Sequence, residues 1–226
     1  MTDVKKDISL FVCISSNRSW SIHFANSLLS LVYRLGQVGI GEGFNLKHMS
    51  LKTLGNASCL SMSREANLRQ ALDGDFTHVL MLDDDMIFPD DVLERMLSHN
   101  KGIVACNYMK KGNGEPTAQD MEGKLINSAE KTGLESVYSS GLGIVLIELD
   151  AIRHVGAPHF AVLWDSERKV YWGEDLYFCE LVRGSVPPVE IWVDHDLSVK
   201  IAHCGDYGYR FQDIVLKTVE SKIEAT

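Results

Sequence analysis

Three consecutive aspartates, Asp83, Asp84 and Asp85, follow four uninterrupted apolar residues, Val79 to Leu82. An apolar run with no polar face reads as a central strand covered on both sides. The carboxylates then stand where that strand leaves the sheet. If extended geometry continues, Asp83 and Asp85 point to one face and Asp84 to the other. Two carboxylates ~6–7 Å apart on one face repel by about 2–3 kcal/mol at an effective dielectric of ~20. A divalent cation held by oxygen ligands offsets that repulsion. The plainer alternative is an acidic turn solvated by water.

Three further sets of residues carry chemistry. Glu174 and Asp175 follow Trp172-Gly173 at an expected helix start. The helix dipole favours a carboxylate there by ~0.3–1 kcal/mol, which accounts for one acid better than for two. A carboxylate beside an indole suits a sugar: the ring offers a flat apolar face and the acid accepts a hydroxyl proton. Asp194-His195-Asp196 and His203-Cys204-Gly205 place two histidines and two aspartates near strand ends, as metal-ligand candidates or as structural side chains. Arg64 and Asn67 lie three apart, so a cation and an amide share one helix face, which is either functional or simply solvated.

The elements that must position these residues alternate along the chain. Residues 8–15 read as a first strand and 21–35 as an amphipathic helix; 44–51 read as a second strand and 64–72 as a second helix, with Ser63 as its cap. Thr77 to Leu82 is the third strand. Strand, helix, strand, helix, strand is the pattern of a parallel nucleotide-binding sheet with ligand at the carboxyl ends. No G-x-G-x-x-G follows the first strand and no G-x-x-x-x-G-K-[ST] occurs, so neither a dinucleotide fingerprint nor a P-loop is supported. Beyond it, a helix from Pro89 to Leu97 and a strand over 102–106 precede a loop over 110–123 that reads as a lid, an acceptor loop or plain surface. Short strands are expected over 124–126, 136–138, 144–147, 161–164, 191–193 and 197–202. Helices are expected over 150–155, 175–183 and 209–223.

The 226 residues fit one α/β domain, and 45% hydrophobic content supports a sizeable core. A net charge of −9 argues against broad binding to nucleic acid or anionic membrane. A local basic face would need Arg18, Arg34, Lys101, Lys110, Lys111 and Lys124 to be gathered by folding. The five cysteines are scattered with no C-x-x-C pair, the first residues lack an apolar leader, and no run approaches ~20 apolar residues. A soluble, cytoplasmic protein with reduced thiols is expected.

Taken in order, the motifs resemble those of nucleotide-sugar-dependent glycosyltransferases of the glycosyltransferase-A fold. Arg64-Glu65-Ala66-Asn67 is similar to the family's R-x-x-N segment, and Thr77 to Met86 resembles its strand with the D-x-D motif. Ser140-Gly141-Leu142-Gly143 resembles its glycine turn, and Gly173-Glu174-Asp175-Leu176-Tyr177-Phe178 its G-E-D-x-x-F segment. His203 falls where many members place a late histidine ligand. The resemblance runs from the first strand to Gly205.

That resemblance implies a single α/β domain, a Rossmann-like mixed sheet flanked by helices. Residues 1–100 would form the nucleotide-sugar half, 101–206 the acceptor half and 207–226 a C-terminal helix. It implies metal-dependent transfer from a nucleotide-diphosphate sugar, a UDP-sugar being favoured, to an acceptor hydroxyl. Asp85, His203 and Asp83 (the last through ribose or water) would hold Mn²⁺ or Mg²⁺ against the diphosphate. Ser15, Ser16 and Arg18 would line base and ribose; Arg64, Asn67, Asp83, Asp84, Gly141, Gly143 and Trp172 would complete the donor site. Asp175 would be the general base and Glu174 would orient sugar or acceptor. Inversion follows if Asp175 is the base; a retaining reaction would not need it. The acceptor would be a saccharide or a hydroxylated base of viral DNA. A haloacid-dehalogenase-like phosphatase, which also places D-x-D after a buried strand, and a non-catalytic nucleotide- or sugar-binding module are the alternatives.

Overall fold

The computed structural model describes residues 5–16, 19–54, 59–167, 169–205 and 208–211. The chain order begins β1 (Lys6–Ser15), α1 (Ile22–Gln37), β2 (Phe44–Leu54), α2 (Leu60–Asp73), β3 (His78–Asp83), β4 (Met86–Ile87) and α3 (Val92–Ser98). It continues with β5 (Ile103–Ala105), β6 (Leu134–Val137), β7 (Ile144–Glu148), α4 (Leu149–Ile152), β8 (Leu163–Asp165) and β9 (Val170–Trp172). It closes with α5 (Glu174–Arg183), β10 (Ile191–Asp194), α6 (His195–Ser198), β11 (Ala202–Cys204) and β12 (Gly208–Tyr209).

Seven strands form one sheet in the order β2-β1-β3-β7-β5-β10-β6. β1 runs parallel to β2 and β3, as the strand–helix alternation predicts. β7 enters antiparallel between β3 and β5, and β6 closes the far edge antiparallel to β10. The sheet is therefore mixed, and it is continuous across the expected halves.

Both faces of the sheet are covered, and the alternation along the central strands assigns each residue to a side. Phe11 and Cys13 of β1, with Val79 and Met81 of β3, pack into the core that contains Leu68 of α2 and Phe178 of α5. Leu10, Val12 and Ile14, with Leu80 and Leu82, pack into the opposite core, with Phe24 and Leu28 of α1 and Val92 and Met96 of α3. Asp83 continues the Val79–Met81 side, which faces α2. The apolar run thus fixes where the first aspartate points.

Several sequence expectations change. The strand expected over 197–202 begins only at Ala202, in β11: Asp194 accepts from Leu197 N at 2.8 Å and caps the short helix α6. Ser63 does not cap α2, which begins earlier, at Leu60, and carries Ser63 inside it. The expected strand at 124–126 is reduced to one bridge, Gln119 to Leu125. Residues 163–165 pair only with β9, outside the main sheet. Pro89 to Asp91 precede α3 rather than open it. Tyr209 pairs in β12 instead of starting a helix; the remainder of the expected C-terminal helix, beyond Phe211, lies outside the described residues.

Candidate active site

The peptide groups of the three aspartates are tied to four different elements. Asp83 N donates to Gly143 O at 2.9 Å, at the turn before β7, and Asp84 N donates to Ser15 O at 3.2 Å, at the end of β1. Ser21 N, at the cap of α1, donates to Asp84 O at 3.1 Å, and Cys204 N, in β11, donates to Asp85 O at 2.7 Å. The strand stops at Asp83, and Asp84 and Asp85 turn. Alternation holds only while the backbone stays extended, so it does not carry from Asp83 to Asp85, although Asp83 still feels the charges of Asp85 and His203.

Asp83 goes to Arg64. Both of its oxygens accept from Arg64 Nη2 at 2.9 Å, and Glu174 Oε1 accepts from Arg64 Nη1 at 2.7 Å. The guanidinium is 3% exposed. Burial works against its charge, but Asp83 and Glu174 outweigh it and raise the Arg64 pKa. Burial also pushes the Asp83 carboxyl up, against the pull of Arg64. One buried side chain on α2 thus fastens the end of β3 to the first turn of α5.

Asp85 has different partners. β11 lies antiparallel to β4 with His203 opposite Met86, which brings the histidine beside Asp85. His203 Nδ1 donates to Met109 O at 3.1 Å, and His203 Nε2 lies 3.4 Å from Asp85 Oδ1. Oδ1 is buried and makes no hydrogen bond. Oδ2 accepts from Lys111 Nζ at 2.5 Å. Burial alone would raise the Asp85 pKa; His203 and Lys111 hold it below the ordinary carboxylate value.

Asp175 opens onto a cleft of about 170 Å³ lined by Lys110, Thr117, Ser139, Tyr171 and Trp172 among others. It sits in the first turn of α5, and its Oδ1 accepts from Leu176 N at 2.8 Å. A Cβ on the preceding Gly173 would come within 2.8 Å of that oxygen, so glycine is what lets the carboxylate lie over the helix start. Trp172 is oriented by its Nε1 donating to Asp165 Oδ2 at 3.2 Å, and it also lines an adjoining cleft with Tyr138 and Glu180. Glu174 points inward to Arg64 while its neighbour faces the cleft. The two adjacent acids therefore do different work.

Tyr108 is the central residue that the sequence reading missed. Its hydroxyl accepts from Gly143 N at 3.1 Å, and its ring meets the His203 imidazole edge-on at 5.2 Å. Burial raises its pKa, so it stays a neutral phenol, and Asp83 adds to that rise. A Cβ on Gly141 would fall 2.6 Å from the Tyr108 hydroxyl, and one on Gly143 would lie 2.9 Å from it. The close approach these glycines allow is to Tyr108. Asn107 was also missed: it accepts from Thr117 N and Ala118 N and donates to Ile126 O and Ser128 Oγ, so it holds the strand end that carries Tyr108. A tyrosine and an asparagine after an apolar run carry no periodic signal that would mark them.

The remaining candidates separate. Asn67 is fully buried on the same helix as Arg64, and neither of its amide atoms has a hydrogen-bond partner, nor does Ser63 Oγ one turn earlier. Ser15 and Ser16 are buried at the end of β1, and Arg18 lies outside the described residues. Asp194 and His195 do not join His203. Asp194 Oδ2 lies 2.9 Å from His99 Nε2, and His195 pairs with Ser128 at 2.9 Å and Glu135 at 2.8 Å. Among the described residues, four of the basic side chains have local partners, while Lys110 lines the Asp175 cleft. Arg34 pairs with Glu94 at 2.6 Å, Lys101 lies 4.0 Å over the Trp192 ring, Lys111 sits on Asp85 and Lys124 pairs with Glu122 at 3.5 Å.

No protein-family model matches the sequence, and no curated protein matches it. Solved structures do. A197 from STIV superposes with a TM-score of 0.60 at 16% identity, covering 88% of this chain and 86% of that one. GalNAc-T7, solved with UDP, GalNAc and Mn²⁺, superposes with a TM-score of 0.51 at 12% identity, covering 87% of this chain and 43% of that one. The chain has the glycosyltransferase-A fold.

In this fold the carboxyl ends of β1 and β3 and the N-terminus of α5 meet at one place, and that is where the residues above converge. Among the described residues there is no preformed cluster of three or more His, Cys, Asp or Glu side chains around a metal position. Asp85 and His203 nevertheless offer two ligand atoms that fit a divalent ion. One offers an unpaired buried oxygen; the other offers Nε2, with Nδ1 already committed to a carbonyl. Among the described residues, no helix is long and apolar enough to cross a membrane. All five cysteines are free.

Proposed function

We propose that this chain is a metal-dependent glycosyltransferase that moves a sugar from a nucleotide-diphosphate sugar to an acceptor hydroxyl. The observation that carries the reading is the Asp83–Arg64–Glu174 bridge, because it ties the strand end that leads into Asp85 to the first turn of the helix that carries Asp175. Asp85 and His203 would hold Mn²⁺ or Mg²⁺, which supplies charge neutralisation for the departing diphosphate. A UDP-sugar is favoured, in keeping with the ligands of the similarly folded GalNAc-T7.

Each protein group then has a task. Ser15 and Ser16, at the end of β1, line the nucleotide side together with the carboxylate of Asp83, which Arg64 holds in place. Both terminal nitrogens of Arg64 are taken by carboxylates and only its Nε is without a partner, so it positions rather than binds. Trp172 offers its face to the sugar, and Asp175 takes the proton from the acceptor hydroxyl. The acceptor oxygen forms the new bond to the anomeric carbon as the bond from that carbon to the diphosphate oxygen breaks. Inversion is the outcome. The acceptor is best read as a saccharide: the clefts flank an indole, and Arg34 and Lys124, two of the basic residues a DNA face would need, are paired with neighbouring glutamates.

The phosphatase alternative requires Asp83 as nucleophile, and both of its oxygens accept from a buried guanidinium. The test is a thermal-shift screen of UDP-, GDP-, CDP- and TDP-sugars with and without Mn²⁺, followed by product analysis. Metal-dependent stabilisation by one nucleotide class, lost in Asp85→Ala, is expected, together with release or transfer of the sugar. Equal stabilisation of wild type and Asp85→Ala, binding without turnover, or turnover of p-nitrophenyl phosphate alone would each overturn the reading.

A further inference from the structure

Lys111 is an ammonium seated on the carboxylate assigned above to the metal. Its Nζ lies 2.5 Å from Asp85 Oδ2, while the other oxygen of the same group faces His203. It belongs to a tight turn closed by Lys110 N donating to Glu115 O at 2.7 Å and by the bridge from Met109 to Pro116. That turn is exposed, and Gly112 and Gly114, both at positive φ, follow Lys111 on the tip. Nothing packs against either glycine where a side chain would stand. The turn is held by its own backbone, so the lysine stem is free to swing without unfolding it. The neighbouring Lys110 points to the Asp175 cleft.

A divalent ion on the unpaired Oδ1 and the ammonium on Oδ2 of the same carboxylate repel each other. We propose that Lys111 is a built-in competitor for the metal position, displaced from Asp85 when the ion binds and then free to pair with the donor's diphosphate. The inference rests on the metal-dependent reading above. It gives one residue opposite effects on two ligands: Lys111 weakens binding of the bare ion and strengthens binding of the nucleotide that follows. The metal is thereby retained chiefly when a diphosphate is present to take over the lysine's charge.

Mn²⁺ binding to the full chain is measured by the loss of the free-ion electron paramagnetic resonance signal, without nucleotide, for wild type, Lys111→Met, Lys110→Met and Asp85→Ala. Removing a half-exposed ion pair that competes with the ion tightens Mn²⁺ by about fivefold in Lys111→Met, while Lys110→Met stays at the wild-type value. UDP binding at saturating Mn²⁺, by calorimetry, weakens by about fivefold in Lys111→Met. Unchanged or weaker Mn²⁺ binding in Lys111→Met overturns the proposal, as does unchanged UDP binding. If wild type and Asp85→Ala bind Mn²⁺ equally, the metal assignment itself fails, a result distinct from failure of the lysine's role.

Discussion

Asp85 Oδ1 and His203 Nε2 face each other at 3.4 Å with no hydrogen bond between them. They are 118 residues apart in the chain and are joined by the two-residue strand β4 pairing with β11. Met109 O takes the Nδ1 proton, so Nε2 is the ring nitrogen that faces the carboxylate. An imidazole nitrogen and a carboxylate oxygen at that spacing are both ligand types that a divalent cation takes. Asp85→Asn and His203→Gln should each weaken Mn²⁺ binding by at least about tenfold. Asp84→Asn should change it by less than about threefold, since its peptide, not a shared ligand face, ties it to β1 and α1. Titration by electron paramagnetic resonance checks all three, and equal losses from Asp84→Asn and Asp85→Asn would contradict the division.

Arg64 neutralises two acids at once. Arg64→Met leaves Asp83 and Glu174 facing each other with no counter-charge, and should cost ~3–5 kcal/mol of stability. Arg64→Lys should recover less than half of that, because one ammonium cannot reproduce the fork that meets both carboxylates. Urea unfolding gives both values. A lysine variant as stable as wild type would show that the fork geometry is unimportant.

Glu174 and Asp175 are adjacent in sequence but should respond differently. Asp175→Asn should lower kcat by about 10²–10⁴-fold while leaving Mn²⁺ and UDP binding within about twofold of wild type. Glu174→Gln should instead lower stability, because it loosens the Arg64 bridge. Steady-state kinetics alongside thermal melting separates the two. Loss of donor binding in Asp175→Asn would remove it from the role of base.

Gly141→Ala places a methyl group 2.6 Å from the Tyr108 hydroxyl. Overpacking of that kind should destabilise by ~1–3 kcal/mol. Tyr108→Phe removes the clashing oxygen at the cost of the hydrogen bond from Gly143 N. The double variant should therefore be more stable than the sum of the single losses predicts, by at least about 0.5 kcal/mol in a double-mutant cycle. Strict additivity would mean that the ring moves aside freely.

His78 is buried in β3, and burial pushes its pKa down from 6.5 to about 4. The unfolded chain therefore takes up a proton that the folded chain refuses. Its contribution is complete above pH 6.5 and is lost as pH falls towards about 4, a total of about 3 kcal/mol. His78→Gln should flatten the acid limb of the stability profile by that order over the same window. A variant profile parallel to wild type from neutral pH to pH ~4 would show that His78 is protonated in the fold.

The residues 79–82, 10–14 and 144–147 carried the central strands in their own composition, because a strand covered on both faces must be apolar throughout. The same logic located the aspartates at a carboxyl end and the two acids at a helix start. Local capping was less secure: Asp194 turned an expected strand into α6, because a side-chain acceptor for Leu197 N outweighs the strand preference of the residues that follow.

The sequence by itself determined the layered α/β architecture, the site's position at strand ends, and most of the residue types that meet there. Tertiary structure alone decided how they pair. Arg64 joins Asp83 to Glu174, β4 and β11 set His203 beside Asp85, and Tyr108 fills the space over Gly141 and Gly143. Side-chain periodicity is a local property of the backbone, whereas these pairings depend on where the strand stops and on contacts between elements far apart in the chain. Asp83 follows the strand's alternation to Arg64; Asp85, two residues later, follows a turn to His203 and Lys111.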